Sequence, residues 1–276
     1  MISVAVIGRN EAGTLGATLE SVLPYASEIV FVDTGSTDAT PMIAAAYGAR
    51  VSNFNWTDDF SAARNAALKQ CTGRWVLTID CDEVLIAGDA IKNFFESLEY
   101  DSSAIAFMVP IHNVLQNNRR DMHFDIRFFR KESGIYFCNP IHESVTPSIH
   151  RLYPNAEFVT AAFSIDHYGY SSSEKNEKKL DRNQNILLQW TESEPDNPYA
   201  WYKLGLTLRS RAARYASACL FKSFELLVAR EDRNSFAFRF DLVRTLLDSL
   251  KGSDKALERL IKSEAARAFP SAGSVR

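Results

Sequence analysis

The sequence predicts an α/β fold: a mostly parallel sheet flanked by helices, followed by a small all-α region. Three observations predict it. Between residues 2 and 79, short apolar runs alternate with segments of helical periodicity. Strands separated by helices of this length form right-handed βαβ units, and hence a parallel sheet. Beyond about residue 170 the pattern is helical only. A composition of 46% hydrophobic and 24% charged residues is that of a chain able to bury a sizeable core. We therefore expect an α/β domain over residues 1–170 and a helical region over 171–276.

The elements follow in order. Residues 2–7 read as a first strand, and Leu15, Leu19, Val22 and Leu23 mark a helix that Pro24 ends. Glu28 to Asp33 reads as a buried strand. Thr40 and Pro41 suit the N-cap and first position of a second helix, with Gly48 as its stop. A short strand at 51–53 precedes a helix over 60–70, which Asp58 or Asp59 can cap. The run Trp75 to Ile79 is a strand closed by Asp80. From residue 103 the long helices disappear, and 103–111, 124–130, 134–138 and 157–167 read as strands adding mixed or antiparallel pairing. Ser171 with Glu174 forms a capping box for a helix reaching about Trp190. Asn197 and Pro198 open the next, and further helices fall near 213–229, 234–250 and 254–267, with Gly252 and Ser253 between the last two. Trp201, Leu204, Gly205 and Phe221 fit tetratricopeptide spacing, and Phe240, Val243, Ala256 and Leu260 form a weaker second copy. Two such repeats are too few for a free-standing solenoid, so we expect them to pack on the first domain. Residues 271–276 read as a frayed tail.

Charge and cysteine usage exclude several functions. The net charge is −3, unsuited to a broad phosphate-binding surface, so nucleic acid is not an expected partner. Cys71, Cys81, Cys138 and Cys219 include no CxxC pair and read as free thiols of a reducing cytosol. Met1 leads directly into an apolar strand without a basic leader or a cleavage site, and no segment is long enough to span a bilayer. The expectation is a cytoplasmic protein, with association at the inner face of the membrane if its partner is a lipid.

Four clusters carry chemistry. Asp80, Cys81 and Asp82 follow a buried strand, at the carboxyl end where open α/β sheets bind ligands. Two carboxylates at i and i+2 in extended chain can face one way and suit Mg²⁺ or Mn²⁺, which draws its other ligands from water and phosphate. Glu83 is placed to support them. The second cluster, Asp33 to Asp38, also ends a strand, and Asp33 could accept from a base or ribose, or simply cap its own loop. The third, Gly8, Arg9, Asn10 and Glu11, lacks the G-x-G-x-x-G spacing of a dinucleotide turn. In the fourth, Asp59 to Asn65, Arg64 sits among small residues and either snorkels to water or reaches a nucleotide.

Together, through the runs VAVIGRNEAGTLGATLESV, EIVFVDTGSTDAT, WTDDFSAARNAAL and GRWVLTIDCDEVL, the chain resembles the family 2 glycosyltransferases of GT-A fold. It looks most like the bacterial branch of lipopolysaccharide-core β-glucosyltransferases and peptide S-glycosyltransferases, some of which carry tetratricopeptide-like C-terminal helices. The resemblance implies a nucleoside diphosphate sugar donor, UDP being favoured, and a glycan, lipid-linked or peptide acceptor. It implies that Asp80 and Asp82 carry the metal–diphosphate contact, with Asp82 the direct ligand. Asp33 and Arg64 would meet base and ribose; Arg9, Asn10, Glu11 and Cys81 would shape the nucleotide pocket. Family members often carry a second Asp where this chain has Thr34. Pro140 to Glu143 looks like the branch's His-Glu motif, which makes Glu143 the catalytic base with His142 beside it. Residues 165–170 resemble the late histidine segment, which makes His167 a third ligand for Mn²⁺. Arg127 and Arg130 either grip phosphate or acceptor, or form a solvated strand face with Asp125; His112, His123 and His150 have no assigned partners. The implied reaction is inverting hexosyl transfer, Glu143 taking the acceptor's proton. Two other readings stand beside it: a sugar-nucleotide nucleotidyltransferase, and a non-catalytic adaptor using the helical repeats.

Overall fold

The computed structural model describes residues 1–88, 90–100, 103–115, 120–169, 173–252 and 254–270, which form two compact units, Met1–Lys175 and Asn176–Arg276. The first unit is built on one mixed sheet. Strands β1 (Ile2–Gly8), β2 (Glu28–Asp33), β3 (Arg50–Asn53) and β4 (Trp75–Thr78) pair in parallel in the order β3-β2-β1-β4. Helices α1 (Leu15–Val22), α2 (Thr40–Ala46) and α3 (Phe60–Gln70) connect them. The sheet continues through β7 (Arg120–Arg130), β6 (Ala106–Val114), β9 (Phe163–His167) and β5 (Glu83–Ala87), with β8 (Val159–Thr160) beside β6. Helix α4 (Ile91–Tyr100) follows β5, and α5 (Thr146–Leu152) lies between β7 and β8.

Two apolar layers cover the sheet. Phe31, Leu77, Phe107, Phe128 and Phe163 pack with α1 and α4 in one layer; Val30, Val32, Val76 and Phe129 pack with α3 and α5 in the other. Alternating strand residues feed the two layers. β4 ends beside β1, but its successor in sequence, β5, lies at the far edge of the sheet, with three strands between them. The Asp80–Asp82 turn therefore sits where strand order reverses, the position at which open sheets hold ligands.

Several boundaries differ from the sequence reading, each for a local reason. Helix α2 begins at Thr40 rather than after it, because the Thr40 hydroxyl donates to Asp38 Oδ1 (2.5 Å) while accepting from Glu11 N (2.7 Å). Asp59 caps α3, accepting from Ala62 N at 2.9 Å. The strand expected at 134–138 does not form. Side chains replace its ladder: Asn65 pairs with Phe137, and Ser148 Oγ accepts from Tyr136 N (3.0 Å) and donates to Tyr136 O (2.7 Å). The expected strand 157–167 is two strands, β8 and β9, both parallel to β6, separated by Ala161, whose N–H still donates to Met108 O at 2.9 Å, and Ala162. Strand β5 and helices α4 and α5 were not expected; the run Val84, Leu85, Ile86 was the signal for β5 and the Thr146–Pro147 pair for α5.

The second unit holds α6 (Ser173–Ser193, which begins in the first unit), α7 (Pro198–Leu208), α8 (Ala213–Val228), α9 (Arg239–Leu250) and α10 (Lys255–Ala268). Asn197 caps α7, accepting from Tyr199 N (3.0 Å) and Ala200 N (3.3 Å). Tyr202, Leu220, Phe224, Leu242, Leu246, Ile261 and Phe269 form its core. In α10 the second repeat pattern is out of phase: Ala256 and Leu260 face solvent, Leu260 being 54% exposed, and Leu257 and Ile261 turn inward. Ser171, Ser253 and the tail 271–276 lie outside the described residues. Gly205 marks the closest approach of α7 to α8. A Cβ there would lie 2.7 Å from Leu220 Cγ and 3.2 Å from Ala216 O. Gly205→Ala should gain about 1 kcal/mol in helix propensity and lose about 1–3 kcal/mol to overpacking. The expected net result is a destabilised second unit, read as faster hydrogen exchange in α7 and α8; slower exchange would contradict the close packing.

No helix among the described residues is long and apolar enough to cross a membrane.

Candidate functional site

The loops after β1, β2 and β4 meet at the carboxyl ends of the parallel strands. The first two are fastened together. Asn10, left-handed at φ 57°, receives Thr37 N on its Oδ1 at 2.8 Å, and its own N–H donates to Ser36 Oγ at 2.9 Å. Ala12 N donates to Asp38 Oδ2 at 3.2 Å. Arg9 and Asn10 are exposed at the rim, and Glu11 is half-buried. Asp33 is buried and satisfied by its own loop, accepting from Gly35 N (3.3 Å) and Ser36 N (3.0 Å). Cys81 is buried, and its thiol donates to Ile7 O at 3.3 Å while its carbonyl accepts from Thr18 Oγ1 at 2.9 Å. Its side chain is buried in the layer of Phe31 and Leu77, where a Cβ on Gly8 would lie 2.5 Å from its Sγ.

Asp80 is the centre of a charge network. Its Oδ1 accepts from Arg64 Nη2, and its Oδ2 lies 3.3 Å from Arg127 Nη2. Glu83 supports the turn from below: its Oε2 accepts Asp80 N at 2.7 Å and its Oε1 accepts Arg127 Nη2 at 3.1 Å. Arg127 Nε also donates to Asp125 Oδ2 at 2.9 Å. Thus Arg127 joins the site as well as pairing with Asp125, whereas Arg130 pairs with Glu132. Arg64 does not snorkel to water. It is only 5% exposed, and its Nε donates to Glu143 Oε1 at 3.0 Å. One guanidinium from α3 therefore joins the acidic turn after β4 to Glu143, 79 residues away in sequence.

Burial by itself would raise Asp80, but the two guanidiniums overcome it and hold the carboxyl well below the usual carboxylate range. Glu83 moves the other way. Burial pushes it up to about 7, Arg127 opposes and the Asp80 charge adds to the rise. Burial would lower both arginines, but Asp80 with Glu143, and Glu83 with Asp80, hold them charged. Arg64 Nη1 and Arg127 Nη1 are buried without a hydrogen-bond partner among the described residues. Each such donor costs about 1–3 kcal/mol.

Asp82 faces a different group. Its Oδ1 lies 3.6 Å from His167 Nε2, and Tyr168 N donates to its carbonyl at 2.9 Å. Asn113 Oδ1, on the neighbouring strand β6, lies 2.9 Å from His167 Nδ1, in register with it. That contact assigns the ring proton to Nδ1 and leaves Nε2 turned to Asp82. Asn113 Nδ2 continues to His123 Nδ1 at 3.4 Å. Asn113 and this role of His123 were missed; the available signal was a buried amide on an alternating strand. Burial would lower His167, but Asp82's hydrogen bond and charge, followed by Glu83 and Asp80, raise it above its ordinary value. A Cβ on Gly169 would lie 2.5 Å from both Asp82 Oδ2 and His167 Nε2, so the glycine keeps the space between them open. His142, exposed and left-handed at φ 54°, precedes the half-buried Glu143.

The family model for glycosyl transferase family 2 matches residues 3–155 of the 276. A TPR repeat-containing protein of Synechococcus elongatus is 35% identical over 209 residues, covering 74% of this chain and 51% of that protein. The SPbeta prophage-derived glycosyltransferase SunS of Bacillus subtilis is 27% identical over 205 residues, covering 71% of this chain and 46% of SunS. The chain spans about half the length of these curated relatives. Staphylococcus aureus TarS 1–349, solved in complex with UDP-GlcNAc, aligns over 98% of this chain and 90% of that one, with a TM-score of 0.55 at 15% identity. That likeness is one of fold, the GT-A type that the resemblance implied. With more than half of its length matched by the family model, the chain belongs to glycosyl transferase family 2.

Proposed function

We propose that the protein is a metal-dependent, inverting glycosyltransferase that moves a hexose from a UDP-sugar to a hydroxyl or thiol acceptor. The observation that carries this reading is the joining, at one strand end, of the Asp82–His167 pair to Glu143 through Asp80 and Arg64. SunS is named a glycosyltransferase, and TarS of the same fold was solved with UDP-GlcNAc; both support the donor class.

The residues fit a divalent cation. A hard carboxylate oxygen and an imidazole nitrogen 3.6 Å apart can touch one ion, and Gly169 leaves the approach clear. Among the described residues no cluster of three or more His, Cys, Asp or Glu forms a ready-made cage. A Mn²⁺ or Mg²⁺ held by Asp82 and His167 would complete its shell with water and diphosphate oxygens. When bound, it supplies positive charge against the departing diphosphate. Arg64 and Arg127 keep Asp80 ionised beside that position and hold the turn in place. Arg64 occupies Oε1 of Glu143, which leaves Oε2 to receive the acceptor's proton. The acceptor oxygen or sulfur forms its bond to the anomeric carbon as the carbon–oxygen bond to UDP breaks. The electron pair leaves with UDP and the proton goes to Glu143; a single displacement inverts the centre.

Thermal unfolding with UDP and UDP-sugars, in Mn²⁺ or chelator, tests this reading. A ligand bound only by the native state raises the midpoint, by about 2.7 kcal/mol of stabilisation at 100 times its Kd. The parent should show a Mn²⁺-dependent shift with UDP that Asp82→Ala abolishes. A shift indifferent to metal and to Asp82 would contradict the assignment.

A further inference from the structure

Residues Phe60, Arg64 and Asn65 of α3 all hold the same segment, the one that carries Glu143. Cys138 and Ser144 close that loop by exchanging backbone bonds, Cys138 N to Ser144 O at 2.9 Å and Ser144 N to Cys138 O at 3.1 Å. Two of the five residues between them, Asn139 (φ 74°) and His142 (φ 54°), are left-handed. Non-glycine residues keep that conformation where the surroundings impose it. Here α3 imposes it. Asn65 acts as a strand partner: its Nδ2 donates to Phe137 O at 2.9 Å, and its Oδ1 accepts Phe137 N at 2.8 Å. Phe60 N, at the first turn of α3, donates to Pro140 O at 2.8 Å. Arg64 then meets Glu143 and lies 5.8 Å from the centre of the Phe137 ring.

We infer that Asn65 is a positioning residue: its amide fixes Phe137 and closes the 138–144 loop, so that Glu143 is delivered to Arg64. The Asp59–Asn65 run thereby serves the proton acceptor rather than the nucleobase. This inference rests on the proposal that Glu143 is the base.

Hydrogen exchange and donor turnover on the full chain test it with Asn65→Ala and the milder Asn65→Asp, which keeps the acceptor for Phe137 N and loses the donor. Exchange needs no substrate. In Asn65→Ala the amides of Phe60, Phe137, Cys138 and Ser144 should exchange at least about 10-fold faster, with β4 unchanged and Asn65→Asp intermediate. Unchanged exchange in the loop overturns the inference. In the release of UDP from UDP-glucose, kcat should fall about 10-fold or more with KM for the donor held, and Asn65→Ala should cost nothing further when added to Glu143→Gln. A raised KM with kcat intact, or multiplying losses, overturns it in favour of a nucleotide contact. Parent-like turnover by Glu143→Gln would remove the base assignment instead, while the exchange result would still decide whether Asn65 holds the loop.

Discussion

Arg64→Met is expected to destabilise the first unit by about 3–5 kcal/mol, the cost of removing one partner from a buried ion pair. Arg64 is 5% exposed and serves two carboxylates on separate elements, Asp80 after β4 and Glu143 after the 138–144 bridge. Arg127 would still compensate Asp80, so Glu143 and its loop should bear most of the loss. Arg64→Lys should recover little, because an ammonium cannot span both carboxylates as the planar fork does. The effect has a pH signature. Asp80 is held below its ordinary value in the folded state, so its contribution is present above pH ~4 and is lost as pH falls through the depressed value. The gap between parent and Arg64→Met should therefore narrow on acidification. Urea unfolding at several pH values measures it, with hydrogen exchange assigning the loss to the first unit; a gap that widens in acid would contradict the network.

Glu143→Gln should reduce turnover of a UDP-sugar by about 10²–10⁴-fold while leaving Mn²⁺-dependent UDP binding near the parent value. The amide retains an oxygen for Arg64 Nε, so the Arg64 contact and the fold should persist. The amide cannot take a proton from the acceptor. Loss of UDP binding in this variant would instead make Glu143 part of the nucleotide pocket.

The parallel half of the fold was legible because each of its elements is local. Period, caps and breakers mark β1 to β4 and their helices within a few residues of sequence. The second half was legible in part. Residues 134–138 have strand composition, but their hydrogen bonds go to Asn65 and Ser148, side chains that no local pattern announces. Strand β5 was hidden because its run directly follows the acidic turn, and its partner β9 is 80 residues away. At the site, the Asp80–Asp82 turn, Glu143 and His167 were found as separate motifs. What sequence could not give is their wiring. Arg64 reads as an exposed or nucleotide-facing cation until Asp80 and Glu143 are seen on either side of it. Asn113 lies two residues past the strand read at 103–111, and nothing marks it until β9 lies beside β6 and sets it opposite His167.

In the proposed function, Asp82 and His167 hold the metal that meets the donor's diphosphate. The most direct measurement is anomalous diffraction at the manganese edge from crystals grown with MnCl₂ and UDP. One anomalous peak is expected within coordination distance of Asp82 Oδ and His167 Nε2, with diphosphate oxygens in the same shell. UDP bound at the ends of β1 and β4 with no peak between Asp82 and His167, or with the metal elsewhere, would contradict it.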